Sequence, residues 1–330
     1  MSYPLNPNLY DDDVKQEPIR AGFGRGLKAA GETNENVVAL CADLTESTQM
    51  HLFRDAFPKR FIEIGIAEQN LVTVASGLAR AGKIPFTSSY AAFSPGRNWE
   101  QIRTTAALNN QPVKIVGSHA GVSVGPDGAT HQMLEDIALM RVLPNMVVVA
   151  PGDSIEAEKA TKAIAENGKP SYIRLAREKS PIFSTDESPF EIGKAYVLRE
   201  GEDVTLLGTG ALTYQLLLAA KLLEKQGINA EVIHVPTIKP LDEATILASA
   251  RKTGRVVTAE EAQAAGGFGS AVTEFLSSTL PMPIKRIGME DRFGESGSPA
   301  ELLEYFGFTG DKLAKTIFEF TEDMPRYHQH

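Results

Sequence analysis

Phe61-Ile-Glu-Ile-Gly-Ile-Ala-Glu-Gln-Asn70 reads as a short apolar strand running into a helix, with Glu68 at the junction. Comparable apolar runs recur at 37–43, 84–90, 112–118, 146–150 and 171–176. Helical patterns fall between them near 16–32, 47–57, 68–81, 97–110, 132–141 and 154–167. Runs such as Met146-Val-Val-Val-Ala150 lack polar alternation, as expected of strands covered by helices on both faces. The alternation predicts a mainly parallel sheet with right-handed crossovers. Ligands of such sheets gather at the carboxyl ends of the strands, which is where Glu68 falls.

The pattern breaks at Lys179-Ser-Pro-Ile-Phe-Ser-Thr-Asp-Glu-Ser-Pro-Phe190, which has two prolines and no period and reads as a linker. Strands then resume near 203–208, 229–235, 255–260 and 284–289, with helices near 212–227, 241–252, 265–279, 298–306 and 310–321. Leu212, Leu216, Ala219, Ala220 and Leu223 trace a buried helical stripe. The expected fold class is α/β, in two domains each built on a mainly parallel sheet flanked by helices. Residues 1–190, linker included, form the first domain and 191–330 the second. A chain of 330 residues exceeds one ordinary core. The tail Pro325–His330 is expected to fray.

A hydrophobic share of 42% supplies material for such cores. The formal net charge of −9 argues against nucleic-acid and anionic-membrane partners, which reward a basic face. Cys41, the single cysteine, lies in a strand pattern and is expected to be a buried thiol in a reducing cytoplasm. Met1–Asp13 has neither a basic start nor an apolar core and does not read as a signal peptide. No apolar run approaches the ~20 residues that span a bilayer.

Two glycine clusters invite a nucleotide reading. Gly24-Arg-Gly26-Leu-Lys-Ala29 fits a dinucleotide fingerprint, but a polar stretch with Pro18 precedes it where that motif needs a strand. Gly266-Gly-Phe-Gly-Ser270 does follow a strand, and tight strand–helix packing explains its glycines. A third loop, Gly121-Val-Ser-Val-Gly-Pro-Asp-Gly-Ala-Thr-His-Gln132, leaves the strand at 112–118 through His119 and carries Asp127 and His131. It reads either as a ligand loop or as an ordinary turn in which Pro126-Asp-Gly128 bends the chain and Thr130 caps the next helix. A zinc site fits less well, because no cysteine or third nitrogen ligand is near. Glu68 likewise reads either as an acid favoured by a helix dipole or as a carboxyl kept protonatable by partial burial.

Ile64-Gly-Ile-Ala-Glu-Gln-Asn70, Gly125-Pro-Asp-Gly-Ala-Thr-His-Gln132 and Leu143-Pro-Asn-Met-Val-Val148 together resemble the pyrimidine-binding domain of transketolases. Arg255-Val-Val-Thr-Ala-Glu-Glu261 with Gly266-Gly-Phe-Gly269 is similar to that family's C-terminal domain. Nearly the whole chain is covered, but it corresponds to the C-terminal half of a full transketolase. The family's diphosphate and metal motif, Gly-Asp-Gly followed by asparagine, does not occur. The resemblance therefore implies the C-terminal subunit of a split enzyme. Thiamine diphosphate would be shared with an N-terminal partner that holds most of the Mg²⁺ coordination, in a heterotetramer with two copies of each chain.

The resemblance also implies residue roles. Glu68 matches the glutamate that bonds the aminopyrimidine ring, and Tyr90 and Phe93 match its aromatic wall. Asp43 matches an aspartate at the cofactor interface. His119, Asp127 and His131 match contacts to the donor sugar and the reacting oxygen, with the histidines moving protons. Arg20, Ser47 and Arg177 match a phosphate clamp; no metal ligand is implied in this chain. Tyr90 stands where transketolases commonly carry phenylalanine, and Pro126 and Ala129 where glutamate and proline are frequent. The implied reaction moves a two-carbon ketol unit from a ketose phosphate to an aldose. A 1-deoxy-xylulose-5-phosphate-synthase-like enzyme is a rival, disfavoured by His119. The beta subunit of a 2-oxo-acid dehydrogenase is another, fitted poorly by the 125–132 loop.

Overall fold

The strand Val37–Cys41 is apolar throughout because both of its faces are buried. Val37, Ala39 and Cys41 join one cluster with Phe23, Leu27, Ala157 and Ile164, whereas Val38 and Leu40 join another with Leu71, Ala75, Ile115 and Tyr172. The computed structural model describes residues 3–327. Seven strands form the first sheet, in the order Thr237–Lys239, Val147–Val149, Ser171–Leu175, Lys114–Ser118, Ile84–Tyr90, Val37–Cys41, Phe61–Glu63. All pair in parallel except Thr237–Lys239, which runs antiparallel to Val147–Val149. A second sheet orders Ile284–Met289, Val256–Gln263, Val204–Gly208, Ala230–His234 and the antiparallel edge Tyr196–Arg199. The expected α/β class and parallel sheets are what the chain adopts.

Several expectations change. The linker contains a strand, Lys179–Pro181, which pairs with Gln16–Pro18 in a two-stranded antiparallel ribbon. A strand therefore does precede the helix Ile19–Thr33, contrary to the sequence reading. Gly24 and Gly26 nonetheless lie inside that helix rather than at a strand–helix turn, so no phosphate cradle results. The expected helix at 132–141 begins only at Asp136, and Thr130 belongs to a separate 3-10 turn, Gly128–Thr130, so it caps nothing. The helix expected over 97–110 widens into a π-helix at Ile102–Ala107. Arg326 ion-pairs with Asp203, and the Tyr327 N–H donates to Gly254 O at 3.0 Å, so the tail is anchored through Tyr327. His328–His330 lie outside the described residues. Among the described residues no helix is long and apolar enough to cross a membrane.

The two sheets share material. Thr237–Lys239 follows the second sheet's Ala230–His234 yet completes the first sheet, and Lys239 Nζ donates to Arg141 O at 2.9 Å. Leu207, Ile233 and Val235 lie in the same apolar cluster as Val148 and Ala150. His234 Nε2 and Glu156 Oε2, one from each unit, are 2.7 Å apart and buried. At the N-terminus, Tyr3, Leu9 and Val14 bury into the second unit's core, and Tyr214 Oη donates to Leu9 O at 2.9 Å.

Glycines set the closest helix packing. A Cβ on Gly22 would stand 1.8 Å from Ser154 O, and one on Gly26 2.6 Å from Glu158 O, so these two positions one turn apart seat Ile19–Thr33 on Ser154–Glu166. Gly22→Ala is expected to lower stability by roughly 1–3 kcal/mol, the overpacking outweighing a helix-propensity gain of at most ~1 kcal/mol. Gly77→Ala, where a Cβ would meet nothing within 4 Å, is expected to be neutral or mildly stabilising. Urea denaturation of the two variants checks the contrast.

Candidate active site

Parallel register brings distant residues to one edge. Tyr90 pairs with Ser118 and Ser118 with Leu175, so the strands at 84–90, 114–118 and 171–175 end level with one another. The next residues along, Phe93, His119 and Arg177, therefore emerge on the same rim. Val37–Cys41 ends there too, its Cys41 level with Ser88 and Glu63, and releases Asp43 and Ser47. Asp43 and His119 both have φ of +58°. Such backbone is uncommon for residues with a Cβ and persists where surrounding structure enforces it.

His119 is the centre of the group. It is buried, with Nδ1 2.8 Å from Ser118 Oγ and Nε2 3.3 Å from Ser47 Oγ. Tyr90 stacks on its ring, with centroids 3.9 Å apart and planes inclined 25°. The Tyr90 hydroxyl lies 2.8 Å from Ser47 Oγ, so the hydroxyl that distinguishes this side chain from phenylalanine joins Ser47 to the same network. Phe93 lies nearly parallel to Tyr90 at 6.2 Å, and His131 stands edge-on to both rings at 5.5 and 6.2 Å. Thr130 Oγ1 approaches His131 Nδ1 at 2.8 Å.

Arg20 and Arg177 also meet. Arg20 Nε donates to Arg177 O at 3.2 Å, and Arg20 Nη1 to Ser47 O. Burial and the neighbouring Arg177 charge hold the Arg20 guanidinium below its ordinary range. Arg177 Nη1 donates to Val124 O at 2.8 Å and lies 3.3 Å from Asp127 Oδ2; its Nε is 3.4 Å from Glu178. A half-exposed cation facing a second one is suited to a doubly charged anion.

Glu68 opens the helix Glu68–Arg80, and its side chain is only 3% exposed. A charge so buried needs a partner, and Arg97 provides it, with Nη1 2.9 Å from Glu68 Oε2. The same guanidinium covers the Phe93 ring at 4.8 Å. Asn98 Nδ2 donates to Glu68 O at 2.8 Å and to Ser94 Oγ at 3.2 Å, fixing the helix start. A flat, nitrogen-edged group thus already rests between the carboxylate and the aromatic face, and an aminopyrimidine is a flat, nitrogen-edged group. The residues present fit that end of thiamine diphosphate. Sequence reading missed Arg97, because an ion pair across 29 positions leaves no local spacing signal.

Asp43 stands apart. It is exposed, and its N–H donates to Glu63 Oε1 at 2.8 Å, as does Gly65 N–H. Glu63, also missed, therefore shapes both turns at this corner. Cys41 is buried, and burial pushes its thiol up.

Burial, reinforced by the like charges of Arg20, Arg177 and His131, pulls the His119 imidazole from 6.5 down to about 3. The folded chain keeps it neutral where the unfolded chain protonates it. Its contribution to stability is complete above 6.5 and is lost as pH falls toward the folded value. Between about pH 7 and pH 4, wild type is expected to lose on the order of 1–3 kcal/mol more than His119→Asn, as read by denaturant titrations across that range.

Residues 15–181 match the family model "Transketolase, pyrimidine binding domain" and residues 193–313 match "Transketolase, C-terminal domain". A protein of Clostridium sp. (strain MSTE9), "6-deoxy-6-sulfo-D-fructose transketolase subunit SqwH", is 43% identical over 95% of this chain and 97% of its own length. Human "Transketolase" is 37% identical over 90% of this chain but only 48% of its own length. The solved structure "Split gene transketolase, inactive beta4 tetramer" superposes with a TM-score of 0.87 at 44% identity, over 93% of this chain and 99% of that one. With both domains matched and such relatives spanning nearly its whole length, the chain belongs to the transketolase family.

Proposed function

We propose that this chain is the C-terminal subunit of a two-subunit, thiamine-diphosphate-dependent transketolase, moving a two-carbon ketol unit from a ketose phosphate to an aldose. Residues 1–190 serve as its pyrimidine-binding domain and 191–330 as its C-terminal domain. The observation that carries the reading is the buried Glu68 carboxylate paired with a planar cation over Phe93. A partner chain holds the diphosphate and Mg²⁺, the complex contains two copies of each chain, and it works in the cytoplasm. The subunit description of a relative covering the same length supports a separate partner.

When bound, the cofactor would supply a nucleophilic carbon for the transfer. Glu68 bonds a ring nitrogen in place of Arg97 and shares its proton there, in surroundings dry enough to make that exchange effective. Tyr90 and Phe93 present faces that stack a heterocycle and exclude water, with Asp43 at the outer border. His119 stays neutral, so it donates at one nitrogen and accepts at the other. It passes a proton at the reacting oxygen without holding a charge among two arginines. His131 and Asp127 face the sugar hydroxyls, and Arg20, Arg177 and Ser47 hold the phosphate.

Mixed with the partner that carries the Gly-Asp-Gly domain, the chain is expected to consume a ketose phosphate in the presence of an aldose acceptor. Alone it is expected to show negligible turnover. Glu68→Ala in the complex should cost at least about a hundredfold in kcat, in the range set by loss of a general acid–base group. Wild-type turnover by that variant, or robust turnover by the lone chain, would contradict the assignment.

A further inference from the structure

The second domain supplies none of the residues grouped around His119, yet its strand Val256–Gln263 lays a carboxylate against their loop. Glu261 is 5% exposed, and its Oε1 accepts the Ser123 N–H at 2.5 Å. The contact is close along the backbone. Gly121 has φ of +91°, and a Cβ there would stand 2.5 Å from Glu261 Oε1, so residues 121–123 lie directly on the carboxylate. The next carbonyl, Val124 O, is the one that receives Arg177 Nη1. Glu261 is itself fixed from the first domain, because Arg174 Nη2 donates to its carbonyl at 2.7 Å while Arg174 Nε holds Asp136 at 2.8 Å. The far end of the loop is fastened separately, with Gln132 Nε2 donating to Val122 O at 3.0 Å and to Glu295 O at 2.8 Å.

We infer that Glu261 is a positioning residue for the loop Ser118–Gln132. Its grip on Ser123 sets the Val124 carbonyl, that carbonyl sets the Arg177 guanidinium, and the loop so held presents His131 and Asp127 to the donor. The C-terminal domain thus takes part in donor recognition without touching the donor. A charged acceptor suits this task, since a carboxylate holds a buried N–H more firmly than a neutral oxygen does. The kinetic consequence, though not the loop contact, rests on the transketolase reading.

Amide hydrogen exchange on the full chain tests the contact directly. Glu261→Ala is expected to speed exchange at Ser123 and its neighbours in 118–132 by about tenfold or more, while the strands of both sheets stay protected. Glu261→Gln, which keeps the length and one accepting oxygen, should restore most of the protection. Glu261→Asp, which keeps the charge but not the reach, should behave like Glu261→Ala, and it carries the test if the alanine variant does not fold. In the complex with its partner, Glu261→Ala should raise KM for the ketose phosphate about tenfold with a smaller change in kcat, and Glu261→Gln should reverse the rise. Wild-type exchange in the loop of both the alanine and aspartate variants overturns the proposal. A uniform loss of protection across both sheets with KM unchanged overturns it too, leaving Glu261 as domain packing. Should the wild-type complex turn over no ketose phosphate, the functional reading falls, and the exchange result still decides the role of Glu261.

Discussion

Arg174 carries a charge into the seam between the two sheets, and the arrangement of both domains turns on how that charge is satisfied. Nε meets Asp136 Oδ2 at 2.8 Å, the Tyr172 hydroxyl donates to the same oxygen at 2.7 Å, and Nη2 reaches Glu261 O at 2.7 Å. Burial opposes the guanidinium charge, and Asp136 with Glu261 more than restores it. An interior ion pair of this kind adds little net stability, but removing either member strands the other at several kcal/mol. The partners come from a helix at 136–141, a strand at 171–175 and a strand of the second sheet. Sliding one sheet over the other would break the set. Apolar packing across the seam is less directional, so the polar set fixes the relative position.

That fixed position matters because the site is assembled at one rim. Parallel pairing levels the ends of strands that are far apart in sequence, and each end hands a side chain to the same space. Ser47, Tyr90 and His119 form a closed triangle of hydrogen bonds and ring contact across 72 positions of chain. The φ of +58° at His119 is the local cost of turning the imidazole back onto Tyr90, and the bond from Ser118 holds it there.

Much of this was legible in the sequence. Strands buried on both faces announce themselves as unbroken apolar runs, and the parallel order follows from their alternation with helices. Several of the segments that escaped have structure imposed from outside, although Tyr196–Arg199, an edge strand with ordinary strand composition, escaped as well. Gln16–Pro18 and Lys179–Pro181 have no strand composition, and each is extended only because the other pairs with it. Thr237–Lys239 is three residues long and belongs to the first sheet by tertiary pairing alone. In sequence, the Gly-Phe-Gly segment near 267 reads as tight packing. In the structure the Phe268 and Gly269 N–H groups also donate to the buried Glu260 carboxylate at 2.7 and 2.8 Å, which periodicity cannot register. The grouping of Ser47, Tyr90 and His119 was accessible through motif resemblance, whereas Arg97, Glu63 and Glu261 were not, since each acts across a fold contact.

If Glu68 holds a cofactor ring as proposed, Arg97 bears on how the carboxyl is kept before that ring arrives. An ionised Glu68 at 3% exposure would be costly if left alone, yet the proposed role needs its carboxyl open to a ring nitrogen. Arg97 resolves the conflict by supplying a counter-charge from a side chain that is itself 48% exposed. With nearly half its surface already in solvent, Arg97 can leave, but only as another group takes its place, since the bare Glu68 carboxylate would be stranded. The guanidinium also leaves behind the Phe93 face that it covered. In the proposed role, exchange of one flat cationic group for one flat heterocycle would keep Glu68 paired at every stage. A lysine in place of Arg97 could neutralise the charge but could not present a planar edge to the carboxylate and a face to the ring at once.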